Sequence, residues 1–132
     1  MEDKNKKIFW IIIVIIIITL ALIFLRSPED SWVKDSKGIW IMQGNPTQTS
    51  DNVKEQQDAI RCASGIYADA NMNDINFSSQ CLGSCGNYSI DIVHVPRRSE
   101  DDLVENQCED YRTGKVKHFI ELSKNGNIVR ID

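Results

Sequence analysis

Eighteen consecutive residues, Ile8 to Leu25, read IFWIIIVIIIITLALIFL without a single charge. As a helix they reach roughly 27 Å, close to the hydrocarbon thickness of a bilayer. Isoleucine is an indifferent helix former in water. In lipid every backbone N–H has to be satisfied within the segment, and helix is then the only single-segment solution. A buried core strand usually stops after about four to eight residues. The run is longer than a signal-peptide core, and Arg26-Ser-Pro-Glu-Asp follows it with no small-x-small cleavage site, so it reads as an uncleaved anchor. Lys4, Lys6 and Lys7 precede it and Arg26 alone follows directly. The positive-inside bias then puts the N-terminus in the cytoplasm and the remainder outside. The chain divides into a cytoplasmic leader (1–7), a transmembrane anchor (8–25), a linker with Pro28 (26–31) and an extracytoplasmic α+β domain (32–132).

A chain of 132 residues leaves room for one small domain beyond the anchor, which excludes a large multidomain enzyme. Residues 27–132 hold 11 Lys and Arg against 17 Asp and Glu, a net charge of −6. That surplus repels a phosphate backbone and excludes a basic nucleic-acid binder. Cys62, Cys81, Cys85 and Cys108 all lie on the outer side. An even count in a small exported domain favours two disulfides. Asn76-Phe-Ser78 and Asn87-Tyr-Ser89 are glycosylation sequons on the same side.

Strand and helix signals place the elements. Trp32–Lys34 and Ile39–Met42 form a hairpin across Asp35-Ser-Lys-Gly38, with Asp first and Gly fourth in a type I turn. Ser50 to about Asp69 is the long helix, with Asn52 and Glu55 as a capping box and Val53, Ala59, Ile60, Ala63, Ile66 and Tyr67 in one apolar stripe. Residues 70–87 read as a polar loop held by its cysteines. Tyr88–Val95 is a strand, covered on both sides towards its end, and Asp102 to about Arg112 a short helix. Asn125-Gly126 closes the final hairpin, opposing Leu122 to Val129, Glu121 to Arg130 and Ile120 to Ile131. The fold class is α+β: an N-terminal transmembrane helix, then a small antiparallel-rich sheet with one long and one short helix, tied by disulfides.

Three constellations bear on chemistry. Cys81-Leu-Gly-Ser-Cys85 has a three-residue spacer and no thioredoxin-like unit before it, so structural bonds outweigh a redox pair. Cys62 flanks the helix stripe near Cys81, which favours Cys62–Cys81 with Cys85–Cys108. The rival joins Cys81 to Cys85 and Cys62 to Cys108. His94 and His118, with Asp91, Arg97, Arg98 and Glu121, carry the residue types of acid–base chemistry. If the strands holding them run parallel, the two imidazoles fall roughly 20 Å apart. Asp69, Asn71 and Asn73 match the first, third and fifth positions of a calcium loop. Asp74 replaces its turn glycine and Gln80 its final glutamate, so a weak site is the most it offers. No cofactor is implied.

Gly44-Asn-Pro46, Ser78-Ser-Gln-Cys-Leu-Gly83, Asp91-Ile-Val-His-Val-Pro-Arg97, Asn106-Gln-Cys108 and Asn125-Gly-Asn-Ile-Val-Arg-Ile131 together resemble small membrane-anchored prokaryotic proteins of no assigned function. The resemblance implies a family without a known activity and transfers no site residues. The expected function is a non-catalytic interaction or envelope-structural module, held by the membrane through residues 8–25 and meeting another envelope or surface protein. The alternatives are a small hydrolase using His94 or His118 with nearby carboxylates, and a thiol–disulfide or assembly factor acting through Cys81 and Cys85.

Overall fold

The computed structural model describes residues 2–25 and 30–132. Most of the expected linker, residues 26–29, lies outside the described residues. The chain separates into two units at Asp30–Ser31. The first holds α1 (Glu2–Leu25), so the lysine-bearing leader and the apolar run form one helix. Its stretch Lys4–Ile23 has a mean hydropathy of 2.6 and no buried share, long and apolar enough to cross a membrane. A helix of this kind serves as a span or as a signal.

The second unit is α+β. Its elements are β1 (Ser31–Lys34), β2 (Trp40–Gln43), α2 (Asp51–Met72), β3 (Gln80–Cys85), β4 (Tyr88–Val93), α3 (Glu109–Arg112), β5 (His118–Ser123) and β6 (Ile128–Ile131). β1 and β2 pair antiparallel as expected, with the Gly38 N–H donating to Asp35 O at 3.0 Å across the turn. The other four strands form one sheet in the order β3-β4-β5-β6. Only β4 and β5 run parallel, and residues 94–117 connect them.

Strand alternation sorts the sheet into two faces. Tyr88, Ile90, Ile92, Ile120, Leu122 and Ile131 face α2, whose Ala59, Ala63 and Ala70 complete the core. Small side chains on the helix let it sit close to the strands. Ser89, Asp91 and Val93 point the other way, beside their register partners Phe119, Glu121 and Ser123. The 94–117 connection covers that second face.

Gln56, 1% exposed, lies within the apolar stripe of α2. Its Oε1 accepts from Trp40 N at 2.8 Å and its Nε2 donates to Gly38 O at 2.9 Å. It thereby fastens the β1–β2 hairpin to the helix. The hairpin turn also meets the end of β6, where Ile131 N donates to Lys37 O at 2.7 Å. Gly38 is required at this close approach, because a Cβ there would fall 2.0 Å from Ile131 O.

Several expectations need correction. The loop expected over 70–87 is confined to residues 73–79. α2 continues to Met72, and β3 follows as a strand closed onto β4 by Gly86-Asn87, with Gly86 at φ 59. No side chain caps α2, so the Asn52–Glu55 box does not form; Ser50 is the N-cap. The helix expected over 102–112 is three short pieces: 3-10 turns over Ser99–Asp102 and Val104–Asn106, then α3. The backbone turns extended at Leu103 (ψ 133) and again at Gln107 (ψ 149), which ends each 3-10 piece. Asp101 caps the start of the first, its carboxylate accepting from the Arg98 and His94 backbone N–H groups. β4 ends at Val93, and Val95 is exposed rather than covered.

The last hairpin keeps two of its three expected pairs. Ile120 opposes Ile131 and Glu121 opposes Arg130, but Leu122 opposes Ile128. Gly126 N donates to Ser123 O and Ser123 N to Asn127 O, both at 2.8 Å, with Gly126 at φ 76. This is a three-residue loop, a type I turn followed by a left-handed glycine. Val129 is the extra residue that restores the expected register beyond it. Ile128, not Val129, therefore packs against the core.

The disulfides are Cys62–Cys85 and Cys81–Cys108, neither of the two pairings expected. Residues four apart in a regular strand share a face. In β3 the register shifts between Cys81 and Gly83, so Cys81 opposes Asp91 while Cys85 opposes Tyr88. One inserted residue reverses side-chain direction. Cys85 therefore faces α2 and finds Cys62, while Cys81 faces the connection and finds Cys108. Gly83 adopts φ 146, a backbone conformation that side-chain-bearing residues rarely take, and so permits the bulge.

Candidate functional site

The 94–117 connection does not seal the second face. It leaves a cleft of about 170 Å³ floored by Asp91, Val93, Phe119 and Glu121. Arg97, Asp101, Asp102 and Tyr111 line it from the connection, and Arg130 from β6. The parallel register sets Asp91 directly opposite Glu121, two carboxylates on neighbouring strands.

Their environments differ. Glu121, its side chain 8% exposed, accepts from Arg97 Nη1 at 2.9 Å and from Arg130 Nε at 3.2 Å. The pairing of Glu121 with Arg130 expected from the hairpin is thus present. Arg97 also donates from Nη2 to Asp102 Oδ1 at 2.9 Å. The Arg130 guanidinium lies 4.7 Å from the Phe119 ring centre, and Tyr111 meets that ring edge-on at 5.3 Å. Arg97, read alone, resembles a solvated turn residue; here it spans two acidic partners.

Among the described residues Asp91 has no cationic partner. Burial pushes its carboxyl up to about 6, with Glu121 adding to the rise. A hydrogen bond from Cys108 N at 3.1 Å opposes it. The Ser89 hydroxyl pulls weakly the same way, although it makes no bond within hydrogen-bond limits. Asp101 moves in the other direction. Burial would raise it, but hydrogen bonds from Arg98 N, the His94 ring, His94 N and Ser79 together hold it at about 2.

The histidines stand apart. Tyr88 opposes His118 in the parallel register, so His94 lies near the far end of the pair, roughly 20 Å away at about 3.3 Å per residue. His94 Nδ1 contacts the fully buried Asp101 carboxylate at 2.9 Å, and Nε2 contacts Glu100 at 3.3 Å. Both ring nitrogens are thus engaged with carboxylates. His118 Nδ1 meets Asp132 O at 3.0 Å, and its ring stacks on Tyr88 at 4.9 Å.

No protein family, curated protein or solved structure matches this chain.

The remaining candidates fall elsewhere. Asp69 and Asn71 lie in the last turns of α2, and Asn73 is its C-cap, donating from Nδ2 to Asp69 O at 2.7 Å. Helical backbone there holds the would-be ligands along a helix instead of around a loop. Asn76 is exposed. Asn87 is half-buried in the β3–β4 turn, where its side-chain oxygen accepts from Lys117 N at 3.0 Å, and Ser89 of that sequon is buried. Cys81, Asp91 and Cys108 bring their ligand atoms within 4.8 Å of one another. As a metal set this grouping fails, because its two sulfurs are bonded to each other.

Sequence reasoning named Asp91, Arg97 and Glu121 but missed that they converge. The one local signal was Gly86-Asn87, a two-residue hairpin turn, but the run 80–85 before it carries little apolar alternation. Reading it turns 80–85 into a strand and sets Cys81 beside Asp91.

Proposed function

We propose that the chain is a single-pass, membrane-anchored, non-catalytic interaction module. Its N-terminus is cytoplasmic, and residues 31–132 lie outside, where they meet another envelope or surface protein. The observation that carries the reading is the pair of disulfides in the unit that follows an apolar helix. Such bonds persist in oxidising compartments. The cleft supports it as well, since Glu121, Arg97, Arg130 and Asp102 engage one another. Val104, 58% exposed, and Leu103 beside it offer apolar contact on the connection.

Two experiments test the reading. Protease added to intact cells or spheroplasts should remove the disulfide-bonded unit and spare the lysine-flanked end; protection of residues 31–132 would overturn the topology. A photo-crosslinking side chain at position 104 should give a discrete adduct with an envelope protein, and one at position 54 on the outer face of α2 should not. Failure of both positions to give an adduct would remove the interaction role.

A further inference from the structure

The two disulfides occupy different chemical settings. Cys62–Cys85 borders a shallow groove with Glu55 and Asp58, whose charges repel an approaching anion. Both bonds join an exposed cysteine to a buried one, Cys62 to Cys85 at 4% and Cys81 to Cys108 at 1%, so what sets Cys81–Cys108 apart is its neighbour. An Asp91 carboxylate oxygen and both sulfurs lie within 4.8 Å of one another. The Cys108 N–H holds that carboxylate in place at 3.1 Å. Ser89, 0% exposed, leaves its hydroxyl without a hydrogen-bond partner on the same strand face. Asp91 also lines the cleft, which gives its proton a route to water.

We propose that Cys81–Cys108 is a thiol–disulfide exchange site, opened at Cys81 by an external thiol, with Asp91 as the group that gives Cys108 its proton. This goes beyond the interaction reading and does not depend on it. The co-reactant is a thiol in its thiolate form. Its sulfur forms a bond to Cys81 Sγ as the Cys81–Cys108 bond breaks, and the bonding pair leaves on Cys108 Sγ. The Asp91 carboxyl then transfers its proton to that sulfur. The products are a mixed disulfide at Cys81, a Cys108 thiol and an Asp91 carboxylate, so electrons and protons balance. Attack at Cys81, the exposed residue of the pair, with departure of the buried Cys108 follows from access.

The pH dependence has one sign. Below about 6 Asp91 holds a proton to give. Above it, the carboxylate has none and also repels the departing thiolate. From β5, Glu121 faces Asp91, with its charge engaged by Arg97 and Arg130. From β3 and the connection, Asp91 meets the two cysteines themselves. Asp101, Asp102 and Tyr111 lie along the same cleft.

The test uses the full chain in detergent micelles with 2-mercaptoethanol, trapping by alkylation and mapping the peptides by mass. Cys81 is expected in the mixed disulfide and Cys108 among the alkylated residues before Cys62 or Cys85 reacts. Divided by the thiolate present, the rate should fall at least about tenfold from pH 5 to pH 8, and less than about twofold in Asp91→Asn. A one-cysteine peptide run in parallel separates a protein thiol, favoured if it reacts faster per thiolate, from a small one. Prior opening of Cys62–Cys85, a flat wild-type profile, or an unchanged profile in Asp91→Asn would each overturn the proposal. The first two readouts need no variant, so a misfolded substitution cannot hide the answer.

Discussion

Asp91 and Asp101 lie close to the same cleft and respond to pH in opposite senses. The folded pKa of Asp91, about 6, exceeds its ordinary value, so between about 4 and 6 the folded chain binds more protons than the unfolded one. Its contribution is full at low pH and is lost as pH rises through that window. Asp91→Asn keeps an acceptor for Cys108 N and cannot ionise. Relative to wild type it should gain on the order of 1 kcal/mol by pH 7, with little gain at pH 4, after discounting for the open cleft. Melting curves at the two pH values check this. Asp101, held at about 2, contributes stability above about 4 that is lost as pH falls towards 2. Gln56 is the uncharged counterpart. Gln56→Ala strands Trp40 N and Gly38 O in a half-buried setting and should cost roughly 1–3 kcal/mol in urea unfolding, with the β1–β2 hairpin losing hydrogen-exchange protection first.

Two bulges decide what the strands do. In β6 the extra residue is Val129, so Ile128→Asp should destabilise by at least about 2 kcal/mol and Val129→Asp by clearly less. A regular two-residue loop would give the reverse order. In β3, Gly83→Val opposes the φ of 146 that permits the bulge. Non-reducing peptide maps of that variant should lose Cys62–Cys85 and Cys81–Cys108 in favour of mixed pairings. These bulges also mark how far the sequence was legible. Asp35–Gly38, the α2 stripe and two pairs of the last hairpin could be read because local turn chemistry and apolar period agreed there. β3 could not, because its run of Gln80-Cys-Leu-Gly-Ser-Cys85 carries little apolar alternation and its order comes from β4 and the disulfides. The missed strand then misdirected the cysteine pairing. The cleft was half legible: its residues stood out by type, but their convergence depends on the parallel β4–β5 register. The expected helix over 102–112 failed because the backbone turns extended at Leu103 and again at Gln107, which a helical wheel does not register.

The disulfides close segments of 23 and 27 residues. Each should stabilise by roughly 3 kcal/mol through lost freedom of the unfolded chain, and the overlap of the two segments makes their sum an upper bound. Full reduction should therefore remove much of the stability of a small domain, typically about 5–15 kcal/mol, while reduction of Cys81–Cys108 alone leaves a folded unit. Circular dichroism of the alkylated one-bond and no-bond forms checks both outcomes. β3 is an outer strand of its sheet, the kind that can exchange with the same strand of another molecule. Here its two cysteines are stitched to opposite sides of the sheet, to α2 above and the connection below. To slide by one residue or swing out into a neighbour, the strand would have to break both stitches. Copies crowded together can touch along this border, but while the bonds stand they cannot trade strands across it.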